Sequence, residues 1–283
     1  MKTRFRPAAY ATTTLVAMAA FFLTGCRILE GKGTEGKKGS TSKKTDATPG
    51  APVWNAAVLA AIEKLPLGGG YSVGGDAKAA LEAAVAWEDG KPALRSIAAQ
   101  PSFCSGATYL VFTIMLAQQQ RAGRLTLTPA VWRKLVVEGQ GDGEGVWGRW
   151  NANGPGTARL FHELGLGRSF TDWKEARPGD FLKLFWNDSI GAQEKGHSVV
   201  FIERGMVEGE DMVTFWSSND PGGYSVKQVP MRQVKRAVFS RLEHPERLSK
   251  VAELPEKDAF LASLVENSVS PEEAAKACGL RQF

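Results

Sequence analysis

The sequence has few of the residues that bind metals or form disulfides. Its 283 residues include only three cysteines and three histidines. The histidines are scattered and have no acidic companion at ligand spacing, so the sequence predicts no metal and no other cofactor. No internal repeat is visible. The apolar run at residues 8–23 is shorter than the ~20 residues of a membrane-spanning helix.

The part of the chain that is expected to fold also lacks a large excess of charge. The formal net charge is +5 overall; residues 1–25 hold three basic and no acidic side chains, and residues 26–52 hold six basic and three acidic ones. A net charge of about −1 therefore remains for residues 53–283. This balance gives no support to nucleic-acid binding by the folded part.

The first 25 residues have the order of an export signal peptide: a basic start, a short apolar run and small residues. Residues 23–26, Leu-Thr-Gly-Cys, resemble the lipobox of bacterial lipoproteins. The resemblance implies cleavage before Cys26 and lipidation of this cysteine, which would anchor an exported protein to the membrane on the periplasmic side. Because Arg27 rather than Asp follows, the outer membrane is a candidate location. The alternative is an ordinary signal peptide with a chance cysteine.

Composition and periodicity divide the remaining chain. Residues 26–52, rich in Gly, Lys, Ser and Thr, are predicted to be a flexible tether. We expect one folded domain at residues 53–250 and a C-terminal helical extension at 251–283. Helical patterns come first and short strands follow from residue 180, which predicts an α+β domain with an antiparallel sheet. The predicted helices are 54–65, 76–88, 104–123 and 129–137, with a capped helix beginning at Ser270.

Cys104 precedes the helical run that begins in PSFCSGATYLVF. A thiol attacks as its thiolate, and the amides and dipole of a helix N-terminus lower the pKa of a thiol there. The second requirement is a base. Of the three histidines, His162 lies in a helical pattern and His244 precedes a proline, whereas His197 opens the strand HSVVFIE. His197 is therefore the predicted partner of Cys104.

A third residue would orient the imidazole ring. Pairing the strand at His197 with the next strand around a turn at residues 205–210 sets His197 opposite Ser218 or Asn219. We choose Asn219, because its amide oxygen accepts a hydrogen bond without adding charge. Asp220, Ser217 and Asn187 are the alternatives.

These residues carry a family resemblance. Residues 104–106 (Cys-Ser-Gly), 177–181 (Arg-Pro-Gly-Asp-Phe) and 196–202 (Gly-His-Ser-Val-Val-Phe-Ile) resemble, in this order, the motifs of NlpC-type papain-like cysteine peptidases and the related CHAP amidases. Residues 215–219 resemble the strand end where CHAP members carry their third residue. The resemblance covers about residues 95–240. It implies a papain-like fold, with the nucleophile helix packed on an antiparallel sheet, and hydrolysis of amide bonds in peptidoglycan or a wall peptide.

Aromatic residues are candidates for the substrate cleft. Trp147 and Trp150 lie in a glycine-rich loop, where tryptophan either packs beneath the loop or contacts a ligand. Trp216 is a third substrate-binding candidate. By the same resemblance, Tyr71 is a candidate for the tyrosine that helps hold the oxyanion.

Two other interpretations stay open. Cys104 and Cys278 could form a disulfide, which would make the chain a non-catalytic binding lipoprotein of the cell envelope. The chain could also be a cysteine acyltransferase on the same scaffold, in which an amine or alcohol replaces water.

Overall fold

Helices dominate the first half of the described chain and strands dominate the second. The structure is a computed structural model that describes residues 53–283. The α-helices in this range are α1 (Val53–Ile62), α2 (Gly75–Ala84), α3 (Cys104–Arg121), α4 (Pro129–Leu135), α5 (Trp147–Asn151), α6 (Gly156–Leu164), α7 (Ala259–Ser263) and α8 (Pro271–Ala277). The strands are β1 (Gly68–Gly69), β2 (Val85–Glu88), β3 (Lys91–Leu94), β4 (Gly167–Phe170), β5 (Phe181–Phe185), β6 (Gly196–Val207), β7 (Glu210–Asn219), β8 (Gly223–Pro230) and β9 (Arg236–Leu242).

Seven of these strands form one sheet in the order β1-β8-β7-β6-β5-β9-β4, and every neighbouring pair is antiparallel. Successive side chains point to opposite faces. Phe181 and Val200 join the core on the side of the helices, whereas Leu184 and Phe215 belong to a second apolar cluster. This arrangement confirms the predicted α+β class with helices and an antiparallel sheet.

The helix α3 lies at the centre of the domain. It packs against α1, α5 and the strands β6 and β7, and its residues from Ser105 to Leu116 are all buried. Phe112 stacks on Trp150 with ring centroids 4.9 Å apart and meets the edge of Phe181 at 6.1 Å. The helix is therefore held firmly on the sheet, and its first residue is Cys104.

The alanine-rich helix predicted at residues 76–88 ends earlier than expected. The helix α2 stops at Ala84, and Val85–Glu88 is a strand that pairs with Lys91–Leu94. Asp89 and Gly90 form the turn with positive φ values of 49° and 77°. An Asp-Gly pair favours such a tight hairpin turn, and this turn chemistry overrides the helix propensity of the alanines.

Asp180, in the motif Arg-Pro-Gly-Asp before β5, has a structural role. Its buried carboxylate accepts hydrogen bonds from Arg241 Nε (2.8 Å) and Nη2 (2.7 Å), from Asn55 Nδ2 (2.8 Å) and from the backbone N–H of Arg177 (2.8 Å). These bonds join α1, the start of β5 and β9. The motif thus stabilises the domain without reaching the region of Cys104.

The segment at residues 251–283 packs into the same compact unit as the rest of the described chain. Leu261 and Leu264 are fully buried. The capping box predicted at Ser270 is confirmed, because Ser270 Oγ accepts from the backbone N–H of Glu273 and the Glu273 carboxylate accepts from that of Ser270.

This C-terminal segment also supports the loop that precedes β6. The backbone N–H of Val269 donates to Ile190 O, and that of Ala192 donates to Asn267 O, each at 3.0 Å. Arg149, fully buried in α5, donates to Gly143 O, Gly145 O and Pro255 O. The segment therefore holds two loops, at residues 139–146 and 187–195.

The predictions for the N-terminus, namely the signal peptide at residues 1–25, the lipidated Cys26 and the tether at 26–52, lie outside the described residues. Across residues 53–283, none of the helices combines the length and the apolar character needed to cross a membrane.

The Asp180–Arg241 ion pair leads to a stability prediction. Asp180→Asn removes the charge that neutralises buried Arg241, and breaking a buried pair from one side typically costs about 3 kcal/mol or more. We expect a lower free energy of unfolding in urea titrations, or failure to fold. Asp211→Asn is the control, since Asp211 pairs with Arg204 at the surface and little change is expected. Equal stability of Asp180→Asn and wild type would contradict this account.

Candidate active site

Cys104 is the first residue of α3, and it is a half-buried free thiol. The residue before it, Phe103, is extended, with φ −133° and ψ 165°. The first backbone N–H groups of a helix have no partner within the helix and carry a partial positive charge. A negative charge on the Cys104 sulfur, or on an oxygen beside it, is therefore favoured at this position.

Hydrogen bonds to the sheet hold the chain that leads into α3. Ser102 Oγ donates to Ser218 Oγ at 2.7 Å, and Ser218 Oγ donates to Ser102 O at 3.0 Å. Tyr224 Oη donates to Ala99 O at 2.7 Å. Because Ser218 and Tyr224 lie on β7 and β8, these bonds set the position of Cys104 relative to the sheet that presents the imidazole on β6 and the amide on β7.

His197 and Asn219 meet at one end of the sheet. His197 is the second residue of β6, Asn219 is the last residue of β7, and His197 Nε2 lies 3.0 Å from Asn219 Oδ1. The ladder pairs Val200 with Trp216, which brings these two strand ends level. The predicted choice of Asn219 over Asp220, Ser217 and Asn187 agrees with this contact.

The surroundings of Asn219 assign the tautomer of His197. Asn219 Nδ2 donates to Ser217 O at 3.2 Å, to Ser225 O at 3.0 Å and to Ser225 Oγ at 3.1 Å. The amide oxygen therefore faces the ring, and it can only accept a hydrogen bond. The ring proton must then lie on Nε2, which leaves Nδ1 free to take the proton of the thiol.

The environment lowers the pKa of Cys104. Burial raises this pKa, but the hydrogen bond and charge of His197, the charge of Lys183 and the backbone N–H of Ser198 together lower it by more. The resulting pKa is about 7, against an ordinary value of 9.0. A pKa in this range leaves an appreciable fraction of the thiol ionised at neutral pH. Such a thiolate is the reactive form of cysteine.

Two cavities meet at this pair of residues. One, of about 550 Å³, is lined by Cys104, and the other, of about 310 Å³, is lined by His197. Tyr71 and Gly196 line both. The wall of the first cavity is rich in hydrogen-bonding groups, including Asn151. The Asn151 amide accepts from Ser105 Oγ and donates to Asp142 Oδ1, each at 2.7 Å.

Tyr71 stands in the wall between the two cavities. The backbone N–H of Tyr71 donates to Pro221 O at 3.1 Å, and the N–H of Ser102 donates to Gly70 O at 3.1 Å. Burial, together with the charges of Cys104 and Asp220, raises the pKa of Tyr71 to about 12. Its hydroxyl therefore keeps its proton and can donate a hydrogen bond within the cleft.

The three tryptophans are all buried, with exposed fractions of 3% for Trp147 and 2% each for Trp150 and Trp216. Trp147 lines the cavity at Cys104. Trp150 donates through Nε1 to Thr108 Oγ1, and Trp216 stacks on Tyr224. Neither of these two lines the cavities at Cys104 and His197, so the prediction that they bind substrate is corrected: their indole area is used in the core.

Cys278 forms no disulfide with Cys104, so the disulfide interpretation is wrong in this structure. Both cysteines are free. Cys278 is buried with Phe185 and Val238, and its Sγ lies 3.9 Å from Pro155 O. Burial raises its pKa to about 12, which leaves it protonated and unreactive.

Sequence reasoning missed three polar residues of the first cavity, Asn151, Lys183 and Glu194. Lys183 lies in an apolar strand and Glu194 in a loop, and only the strand pairing of β5 with β6 brings them to Cys104. Within residues 53–283, no group of three or more His, Cys, Asp or Glu side chains is arranged to hold a metal ion.

The Asn219 contact leads to a prediction on the reactivity of Cys104. Asn219→Ala removes the acceptor that orients His197, so we expect alkylation of Cys104 by iodoacetamide at pH 6 to fall about tenfold, the change that one pKa unit produces in the thiolate fraction. Asn187→Ala is the control, because Asn187 bonds only within its own loop. A rate equal to wild type in Asn219→Ala would show that Asn219 does not orient the imidazole.

Three comparisons with known proteins gave no match. None of the protein-family models, none of the curated proteins and none of the solved structures matches the chain. The chemistry of the site accordingly follows from its own residues: a free thiol with a lowered pKa, an imidazole and an amide that orients it.

Proposed function

We propose that this chain is a cysteine hydrolase that cleaves amide bonds, with Cys104 as nucleophile, His197 as general base and acid, and Asn219 as the residue that orients the imidazole. The observation that carries the proposal is the 3.0 Å contact between His197 and Asn219 next to a free thiol with a lowered pKa. Nucleophile, base and orienting group in this order are the general signature of covalent catalysis by cysteine.

The reaction runs in two steps. The Cys104 thiolate forms a bond to the amide carbonyl carbon, and the carbonyl electrons move to the oxygen beside the N-terminus of α3, where the backbone N–H of Cys104 stabilises the charge. The carbonyl re-forms as the C–N bond breaks, and the leaving nitrogen takes the proton from the His197 imidazolium. Water then gives a proton to His197 and its hydroxide to the thioester, which releases the acid and restores the thiol pair.

The proposal includes a papain-like arrangement of the NlpC or CHAP type. Its support is a nucleophile at the start of a buried helix, followed along the chain by an antiparallel sheet in which one strand carries the histidine and the next carries the asparagine. The departure is Tyr71, which comes from a segment well before Cys104; its neighbours Gly70 and Ser72 hydrogen-bond to the backbone of Ser102, two residues before Cys104. An amidase of this kind needs no cofactor for the steps above.

The proposed substrate is peptidoglycan or a wall peptide. Its support is the predicted export signal with the lipobox at Cys26, together with the family resemblance of the motifs. A polar cavity beside Cys104, with amide, hydroxyl and charged groups in its wall, is suited to the amides and hydroxyls of such a polymer. The proposal includes a lipid-anchored enzyme on the periplasmic side of the membrane.

The pKa of Cys104 predicts the pH dependence of its alkylation. Because the pKa is lowered to about 7, thiolate persists to lower pH than in an ordinary thiol, and we expect the rate of iodoacetamide alkylation to rise through a midpoint near pH 7. His197→Ala removes the hydrogen bond and the charge and should move the midpoint upward. The rate is measured by mass spectrometry of the Cys104 peptide. A midpoint that is ordinary and independent of His197 would refute the thiolate–imidazolium pair.

The substrate proposal is tested with purified peptidoglycan sacculi. We expect wild type to release fragments with new amino groups and no new reducing ends, and Cys104→Ala to lower this activity by about 10⁴-fold or more. Cys278→Ala is the matched control, since its thiol is buried and protonated, and it should keep the activity if it folds. Product that appears as an amide of an added amine would indicate acyl transfer, and equal activity of Cys104→Ala would reject the assigned nucleophile.

A further inference from the structure

Lys183 is a cation in the wall of the cavity at Cys104. It is the middle residue of β5, in the apolar sequence Phe-Leu-Lys-Leu-Phe, and it lies opposite Ser198 of β6. Ser198, Lys183 and Cys104 line the same cavity. A lysine in a central strand would ordinarily reach for water, but this side chain is only 16% exposed.

Glu194 holds the ammonium group in place. Glu194 Oε1 lies 2.7 Å from Lys183 Nζ, and the glutamate side chain is 4% exposed. Its other oxygen, Oε2, accepts from the backbone N–H groups of Gly154 and Gly191. Gly191 in turn pairs with Ser268 of the C-terminal segment. The carboxylate is therefore anchored by the backbone of two loops, and it fixes the position of Lys183.

Gly196 leaves the space that this ion pair occupies. A Cβ atom at Gly196 would lie 2.6 Å from Lys183 Cε and 2.7 Å from Glu194 Oε1, closer than real Cβ contacts allow. A side chain at the residue next to His197 would therefore displace the ends of Lys183 and Glu194 from their present positions. Strand β6 presents the imidazole on one side and makes room for the ammonium on the other.

A gain in stability is a weak explanation for this buried ion pair. Burial of two charges costs several kcal/mol per ion, and the attraction between them often does no more than offset that cost. Within residues 53–283, Glu194 is the one ion-pair partner of Lys183. An ammonium carries three donors, so at least one remains for the cavity that Lys183 lines together with Cys104.

We propose that Lys183 is a positioning residue for the nucleophile: its ammonium, anchored by Glu194 in the wall of the same cavity, favours the thiolate of Cys104. The inference rests on the proposed function. It is consistent with the pKa of Cys104, which burial raises, and which His197 and then the charge of Lys183 lower.

The other charged and titratable groups around the thiol do not replace Lys183. Tyr71 keeps its proton, because its pKa is raised to about 12. Asp142 is an acidic side chain that accepts from Asn151, and Glu194 is bound as described above. Lys78 also lines the cavity but is 58% exposed and lies near Glu82, so water screens it. His197 and Lys183 are the cations that lower the pKa of the Cys104 thiol.

The test compares Lys183→Met, which keeps the length of the side chain and removes the charge, with Lys183→Arg, which keeps the charge. Iodoacetamide alkylation of Cys104 in the full chain is followed from pH 4 to pH 10 by mass spectrometry of the Cys104 peptide, and thermal unfolding reports folding. Lys250→Met is the control, since Lys250 is exposed and lines neither cavity.

We expect Lys183→Met to move the midpoint of alkylation upward by about one pH unit. Lys183→Arg should keep the midpoint close to that of wild type, and Lys250→Met should leave it unchanged. A midpoint in folded Lys183→Met equal to wild type, or an equal shift in Lys183→Arg, would overturn the inference. If Lys183→Met does not fold, the wild-type midpoint in Lys183→Arg upholds the inference and a raised one overturns it. A wild-type midpoint that does not depend on His197 refutes the proposed function itself, which is a distinguishable result.

Discussion

The packing of α3 on the sheet is the constraint on which the rest of the site depends. The proposed nucleophile Cys104 belongs to a helix, and His197 and Asn219 belong to strands, so the three groups meet only if the two layers keep one relative position. Phe112, stacked on Trp150 and against the edge of Phe181, supplies that contact in the core. At the N-terminus of α3, the hydrogen bonds between Ser102 and Ser218 also hold the helix on the sheet. A shift of an ångström there would separate thiol and imidazole.

Buried charge serves two different purposes in this domain. The Asp180 carboxylate accepts hydrogen bonds from Asn55, Arg241 and the backbone N–H of Arg177, so this pair specifies how α1, β5 and β9 meet. Lys183 and Glu194 are similarly buried, but both line the cavity at Cys104, and backbone N–H groups hold the glutamate there. Of the two pairs, the one formed by Lys183 and Glu194 lines the cavity at Cys104.

Local patterns in the sequence account for what could be predicted. Neighbouring residues encode the capping box at Ser270, the strand at His197 and the turn between β6 and β7. Counting along the two strands from that turn therefore predicted that His197 would lie opposite Asn219. Lys183 could not be found this way, because its role depends on lying opposite Ser198 and on a glutamate eleven positions away in a loop held by the C-terminal segment.

Errors arose where two physical signals compete. Alanine propensity favoured a helix through Glu88, but Asp89-Gly90 forms a hairpin turn. The Asp-Gly signal was present in the sequence, and the helical pattern of the alanines hid it. A tryptophan can contact a ligand or supply apolar area to the core. In this domain the central helix is buried on every side, and Trp150 and Trp216 pack in the core. The same competition separates the cysteines. Near His197 and Lys183 a thiol is stabilised as an anion, whereas Cys278, among apolar side chains, is stabilised as a neutral group. Reactivity in this chain is therefore a property of position in the fold, since the two thiols are chemically identical.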